Sequence, residues 1–269
     1  MGRKMKNAPV YFAVGQVQHN PLLNLSTFLP AIQERLRKAG YPGFKHSSSM
    51  QFTLSPAMAS SENDQMPQPG LQKVDRYLFS DIWGKNGFLL QSNSLMFRTT
   101  EYDTFPEFLT RLELGLSILD EVVGGLSYFD RLGLRYLDAV APRPGESVNA
   151  YLANEVTGLP AKISDATFAY AFAETSMLSE GIGQVISRTI IQAGVLGFPP
   201  DLGPDDLVIN PRFKEISGEH AMIDTDGFSE GRHQFNLGLI REKLDSIHGL
   251  IDKCFHATVS DHGREQWNA

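Results

Sequence analysis

Cysteine is almost absent from this sequence, since Cys254 is the only thiol among 269 residues. One cysteine cannot form a disulfide within the chain, and it argues against a zinc site built from cysteines. Because Cys254 lies within a helical pattern, we predict that it is a small buried residue and not a reactive thiol. The fold therefore depends on its core, for which 42% apolar residues are ample material.

A surplus of basic residues and long apolar runs are also missing. The formal net charge is -7, whereas proteins that bind nucleic acids or anionic membranes generally carry an excess of Lys and Arg. No run approaches the roughly 18 consecutive apolar residues of a membrane span, and no apolar signal core follows the basic N-terminal residues. These absences predict a soluble cytoplasmic protein with no membrane contact and no general nucleic-acid binding.

A third absence concerns catalytic and phosphate-binding motifs. The sequence has no Gly-x-Ser-x-Gly, no Walker loop, no dinucleotide fingerprint and no HExxH spacing. These absences argue against a hydrolase, an ATPase or a dehydrogenase, although many active sites leave no local motif. We predict no cofactor, and we favour a protein that is not an enzyme.

What the sequence does contain is a clear central strand within residues 126–142. A long helical pattern runs into this stretch, and a Pro/Gly break follows it. Side chains alternate between the two faces of a strand, so one face is apolar and the other holds two arginines around a glycine. The first face is predicted to carry Leu132, Leu134, Tyr136 and Val140, and the second Phe129, Arg131, Gly133, Arg135, Leu137 and Ala139.

The first half of the chain, residues 1–142, has the predicted order β-α-β-β-β-β-α-β. Residues 55–72 are rich in Ser, Pro, Gln and Met without periodicity, so they are predicted to form a flexible insertion. Asn86-Gly87 between apolar runs predicts a hairpin. The other predicted elements are a helix at 27–39, a long helix from 104 to the glycines at 124–125, and strands at 8–18, 47–54, 74–83, 88–92 and 95–100.

The second half, residues 143–269, repeats the order helix, three strands, helix. This pattern predicts an α+β fold with a mainly antiparallel sheet covered by helices. We interpret it as two ferredoxin-like halves, which a duplication would relate, although the two halves also suit one continuous domain. The predicted elements are helices at 147–156 and 237–255, a final short helix capped by Ser260, and strands at 167–176, 183–193 and 219–225.

Arg131, Gly133 and Arg135 are the first candidate binding residues. Four strand residues separate the two arginine Cα atoms by about 13 Å, and the glycine between them leaves backbone open. Two guanidinium groups on one face suit a carboxylate or a phosphate. The alternative is that each arginine forms a structural ion pair, and three acids are available as partners: Asp81, Glu101 and Glu113.

Asp224, Asp226 and Glu230 are a second candidate group. The two aspartates share a strand face, the glutamate follows, and such oxygen-rich clusters can hold a hard cation. The spacing does not match a calcium loop. The alternative is a strand that ends in a solvated turn at Asp226-Gly227.

Four segments carry a resemblance to a known family. The most specific is Arg131-Leu-Gly-Leu-Arg-Tyr136, and the others are Ala8-Pro9, Phe88 to Tyr102 with the following Phe108-Leu-Thr-Arg-Leu, and Leu244-x-x-x-His248 through Phe255 to Trp267. On these segments the chain resembles, over most of its length, a sporadically distributed, functionally uncharacterised family of prokaryotic proteins. In that family the central strand ends in Tyr-x-Asn, whereas Asp138 stands here in place of the amide. The resemblance implies a common α+β fold and an accessory role in a mobile or defence-related gene cassette, but no activity.

The first functional hypothesis is therefore a non-enzymatic binding or interaction protein. Its partner would be an unknown protein or a small anionic ligand, which Arg131 and Arg135 would contact. A metal-dependent hydrolase or nuclease that uses Asp224, Asp226 and Glu230 is the alternative. An RNA-binding module is a second alternative, but it needs a basic groove that the net charge does not predict. Edge strands in the meander also allow a homodimer.

Overall fold

The computed structural model describes residues 5–53, 70–159, 163 and 169–268. The described strands form one antiparallel sheet of nine strands in the order β2-β3-β4-β5-β1-β6-β9-β8-β7. The strands are β1 (Val10–His19), β2 (Gly43–Thr53), β3 (Gly70–Ser80), β4 (Asn86–Gln91), β5 (Ser94–Thr99), β6 (Tyr128–Val140), β7 (Tyr170–Ser179), β8 (Gly183–Ala193) and β9 (Glu219–Gln234).

The three long helices cover one face of this sheet, so the predicted α+β class is confirmed. The helices are α1 (Leu25–Lys38), α2 (Phe105–Val123), α3 (Asn154–Thr157), α4 (Pro211–Lys214), α5 (Leu237–Thr258) and α6 (Asp261–Asn268). We call the face under α1, α2 and α5 the helix side. None of the helices in the described ranges combines the length and the apolar character that a membrane crossing requires. The duplication of two ferredoxin-like halves stays a prediction.

Residues 194–218, which join β8 to β9, lie across part of the opposite face. We call this segment the strap and the face that it crosses the strap side. Its apolar residues, among them Phe198, Leu207 and Phe213, pack with Tyr11 and Phe12 of β1. The strap therefore gives the sheet a second, smaller core and leaves part of the strap side uncovered.

The central position of β6 agrees with the sequence, because β6 pairs with β1 on one edge and with β9 on the other. Leu132, Leu134 and Tyr136 pack into the helix-side core, and the two arginines face the strap side. The prediction for Phe129 was wrong. A register shift between Phe129 and Arg131 breaks the alternation, and it turns the Phe129 ring into the helix-side core.

The turn predicted at Asp226-Gly227 was also wrong, because β9 continues unbroken to Gln234. Gly227 has a packing role there. A Cβ atom at Gly227 would lie 2.8 Å from Ile247 and 3.0 Å from Ile251, so only glycine lets α5 pack this closely on β9. The same continuity places Asp224, Asp226 and Glu230 on one strand.

Three further expectations have different outcomes. Of the insertion predicted over 55–72, residues 55–69 lie outside the described residues. Residues 70–72 belong to β3. The predicted hairpin forms, but its turn is residues 81–85, because β3 ends at Ser80 and β4 already begins at Asn86. The helix predicted over 147–156 is a short 3-10 turn, Val148–Tyr151, followed by α3.

Two glycines inside helices test how tightly α2 packs. A Cβ atom at Gly115 would lie 2.3 Å from the buried Phe88 ring, whereas a Cβ atom at Gly249 of α5 meets nothing within 4 Å. We expect Gly115→Ala to lower the free energy of unfolding by about 1–3 kcal/mol through overpacking. The control Gly249→Ala should raise it by about 1 kcal/mol, because alanine favours the helix. Equal effects in urea unfolding would contradict this packing.

Candidate functional site

Arg135 lies at the centre of the strap side and binds two carboxylates at once. Its Nε and Nη2 atoms donate to the two Asp224 oxygens over 2.7 and 2.8 Å. Its Nη1 and Nη2 atoms donate to Asp201 of the strap over 2.6 and 3.1 Å. Asp224 is 1% exposed and Asp201 is 67% exposed. The guanidinium is therefore held from inside by a buried acid and faces outwards towards an exposed one.

Asp224 also joins β9 to β8. Arg188 on β8 donates from Nη1 to the Asp224 Oδ2 atom over 3.3 Å, and its Nε atom donates to Glu174 of β7 over 2.6 Å. The buried carboxylate thus accepts hydrogen bonds from two arginines. Charge-assisted bonds of this kind are stronger than neutral ones, and they compensate for the burial of Asp224.

Arg131 lies on the same face of β6, four residues before Arg135. Its guanidinium lies 4.6 Å from the centre of the Phe228 ring, and its Nη1 atom donates to Gln16 over 3.0 Å. Its Nε atom is 3.6 Å from Glu230. A Cβ atom on Gly133 would lie 3.0 Å from the Nη1 atom. The glycine therefore makes room for the Arg131 head to fold back towards Arg135.

Asp226 completes the group, since it lies opposite Arg135 in the register of β6 and β9. Burial raises the pKa of Asp226, the charges of Arg135 and Arg131 lower it, and Asp224 raises it, with a net increase. Within the described ranges its carboxyl group makes no direct hydrogen bond to another side chain. Asp226 therefore offers a half-buried acceptor beside two arginines.

The ion-pair alternative for the arginines named the wrong acids. Asp81 accepts hydrogen bonds from Asn86 and nearby backbone, Glu101 pairs with Lys85, and Glu113 pairs with Arg241. The acids that do contact Arg131 and Arg135 are Asp201, Asp224 and Glu230. They come from the strap and from β9, in the other half of the chain, and local sequence spacing carries no signal for such distant pairing.

Gln16 and Phe228 are site residues that the sequence analysis did not name. The alternation of β1, which places Phe12 and Val14 on one face, puts Gln16 on that face as well. Phe228 would have followed from the same rule if β9 had been predicted to continue beyond Gly227. The alternation of side chains therefore predicts the face of both residues, but only when the bounds of β1 and β9 are known.

The candidate metal ligands share one strand face, but arginines already occupy this face. Asp224 holds Arg135 and Arg188, and Glu230 lies beside Arg131. Across residues 5–53, 70–159, 163 and 169–268, no three His, Cys, Asp or Glu side chains are grouped so as to hold a metal ion. The geometry therefore pairs Asp224 and Glu230 with arginines and places Asp226 beside them without a direct bond.

Asp138 lies on the opposite face of β6, behind the two arginines. It is 3% exposed, and burial first, then the charge of Asp224, raises the pKa of Asp138 to about 8. The Asp138 side chain is therefore mostly an uncharged acid at neutral pH. A protonated carboxyl group can donate one hydrogen bond, as an amide does.

Comparison of this chain with protein-family models, with curated proteins and with solved structures gives no match. The resemblance to the sporadically distributed prokaryotic family stays a prediction.

Removing the charge of Asp224 should weaken the whole fold. We expect Asp224→Asn to lower the free energy of unfolding by about 3 kcal/mol, because Arg135 and Arg188 lose the buried charge that compensates them. Asp201→Asn removes an exposed partner of the same arginine and should cost less than about 1 kcal/mol. Urea unfolding of both variants measures the difference, and similar losses would contradict the buried role of Asp224.

Asp138 should make stability fall as the pH rises. Between about pH 4 and pH 8 the unfolded chain has an ionised Asp138 while the folded chain keeps the proton, so each pH unit costs up to about 1.4 kcal/mol. Below pH 4 both states are protonated, and above pH 8 both are ionised. Asp138→Asn should remove this slope in urea unfolding at pH 5, 6 and 7. Parallel pH profiles for the two proteins would contradict the raised pKa.

Proposed function

We propose that this protein is a non-enzymatic binding protein that recognises a carboxylate group of a partner protein or of a small anionic ligand. The ligand contacts Arg135 and Arg131 on the strap side of β6. The observation that carries the proposal is the binding of an exposed carboxylate by Arg135. The Nη1 and Nη2 atoms, which form the outer edge of the guanidinium, donate two hydrogen bonds to Asp201.

Asp201 supports the proposal because it already has the chemistry of the ligand. Arg135 is fixed from behind by Asp224, so its outer edge is preorganised and loses little freedom on binding. A ligand carboxylate that replaces Asp201 leaves the charge around Arg135 unchanged. Asp201 lies on the strap, outside the regular strands, and its exposure makes its own ion pair weak.

Arg131 and Asp226 support a ligand with more than one polar group. The Arg131 head packs against Phe228 and makes one hydrogen bond, to Gln16, within the described ranges, so further N–H groups are available to a ligand. The Asp226 carboxyl group beside it can accept an N–H donor. A peptide segment with an acidic side chain carries both a carboxylate and N–H donors, so this pairing favours a protein partner over a simple anion.

The alternatives have less support. A metal-dependent hydrolase or nuclease would need Asp224, whose oxygens bind two arginines. An RNA-binding module would need a basic face, whereas acids interleave with the arginines here. A homodimer through an edge strand, an accessory role in a gene cassette and a cytoplasmic location stay predictions, because no contact in the site depends on them.

The test compares partner retention by variants of the full chain. Tagged protein is isolated gently from its own host cells, and native mass spectrometry measures the bound fraction of whichever partner co-purifies with the parent protein. We expect Arg131→Ala to lower the affinity about tenfold or more, from the loss of charge-assisted hydrogen bonds. Asp201→Asn should raise the affinity several-fold, because the internal competitor is weakened.

Arg232→Ala is the matched control, since Arg232 is an exposed arginine that pairs with Asp130 and lies over Tyr128. It should leave the bound fraction unchanged. A partner that is retained equally by all three variants does not use this face, and that result would reject the proposed site. Circular dichroism of each variant establishes that a loss of binding is not a loss of folding.

A further inference from the structure

The helix side of β6 carries a buried polar cluster that the arginine face does not use. Tyr136 and Asp138 come from β6, Thr225 comes from β9, and Tyr102 precedes α2. Tyr136 is 5% exposed, Asp138 is 3% exposed and Thr225 is 1% exposed. Thr225 lies opposite Tyr136 in the strand register, and Asp138 is one step further along the same face. Four oxygen-bearing side chains thus meet under α2 and α5.

Two of these side chains each have a fully buried oxygen atom that lacks a hydrogen-bond partner. The Asp138 Oδ1 atom and the Thr225 Oγ1 atom make no hydrogen bond within the part of the chain that the structure describes. Leaving a buried polar group unpaired costs about 1–3 kcal/mol, so most such atoms in proteins have a partner. Two orphaned oxygens on adjacent strands indicate a shared partner between them.

The tyrosine hydroxyls border the same space. The Tyr136 and Tyr102 hydroxyl oxygens are 3.5 Å apart, at the outer limit of a hydrogen bond. Burial is the largest cause that raises the pKa of both tyrosines, and the charge of Asp138 adds to it. The hydrogen bond with Tyr136 lowers the pKa of Tyr102, but the net shift is upwards. Asp138 lies two residues from Tyr136 on the same face of β6, and within the described residues it makes no hydrogen bond to either hydroxyl group.

Aromatic rings of α2 and α5 and one cleft border the cluster. His248 stacks on Phe105 with ring centres 4.0 Å apart, and its ring centre is 6.0 Å from that of Tyr136. Tyr102 is half-buried, and it also lines a cleft of about 370 Å³ between β5 and α2. Asp252 of α5, which is half-exposed, faces both tyrosines. Tyr102 is therefore shared by the cluster and the cleft.

We propose that this cluster is a second binding site, which takes the carbonyl or hydroxyl oxygen of a small uncharged ligand. The hydroxyl groups of Tyr136, Tyr102 and Thr225 can each donate or accept, and so can the protonated Asp138 carboxyl group. The charged groups that act on the two tyrosines are carboxylates, Asp252 among them, so an anionic ligand is disfavoured. The site lies across the sheet from Arg131 and Arg135 and does not rest on their function.

Acetamide is the probe, because it is small and carries both a carbonyl acceptor and an N–H donor. It is titrated into the full chain, and amide chemical shifts are followed by NMR. We expect saturable shifts at Asp138 and Thr225 in the parent protein. Thr225→Val keeps the shape and removes only the hydroxyl group, so it should weaken acetamide binding about tenfold, the effect of one lost hydrogen bond. Asp138→Asn, which keeps a donor and an acceptor, should bind within a few-fold of the parent.

Thr258→Val is the matched control, because the buried Thr258 hydroxyl already donates to the Cys254 carbonyl over 2.9 Å and belongs to α5, outside the cluster. It should leave acetamide binding unchanged. Shifts that grow linearly without saturation in the parent protein would overturn the proposal. So would a Thr225→Val variant that melts at a higher temperature and binds acetamide as the parent does, since Thr225 would then be an unpaired hydroxyl and no ligand contact.

Discussion

The Asp224 carboxylate joins parts of the chain that lie far apart in sequence. Through Arg135 it ties β9 to β6 and, by way of Asp201, to the strap, and through Arg188 it ties β9 to β8 and β7. A buried charge is stable only with its partners in place, so this arrangement makes the strap, the central strand and the outer strands depend on one another. The ion pairs of Arg135 and Arg188 therefore have this one carboxylate in common.

Much of the fold can be read from the sequence, because alternation and helix periodicity report burial directly. Leu132, Leu134 and Tyr136 lie on the helix side as predicted, and the pattern of β6 also places Arg131 and Arg135 together on the other face. The apolar face of the last long helix, with Ile247 and Ile251, points to the sheet. These inferences hold because each rests on a repeat of two or 3.6 residues within one element.

Local sequence patterns do not predict the role of a residue when that role depends on contact with a distant element. Gly227 looks like a turn glycine, yet α5 needs its missing side chain, and Phe129 leaves its face because of one irregular step in the strand pairing. In the sequence Asp201 is one acid among several in a loop, and only the fold of the strap shows that it binds Arg135. Such roles depend on tertiary contacts, so neither propensity nor spacing within one segment can reveal them.

The central place of β1 has a consequence for how the chain folds. β1 is the first described strand, but its neighbours in the sheet are β5 and β6, whose pairing residues lie 76 to 128 positions later. During synthesis β1 cannot pair until these strands have been made. The middle of the sheet can therefore form only after the ribosome has produced the chain beyond Val140. Sheets built from such distant pairings fold slowly and expose unpaired strand edges meanwhile. The two edges of β1 therefore have no strand partners in a nascent chain until β5 and then β6 have been synthesised.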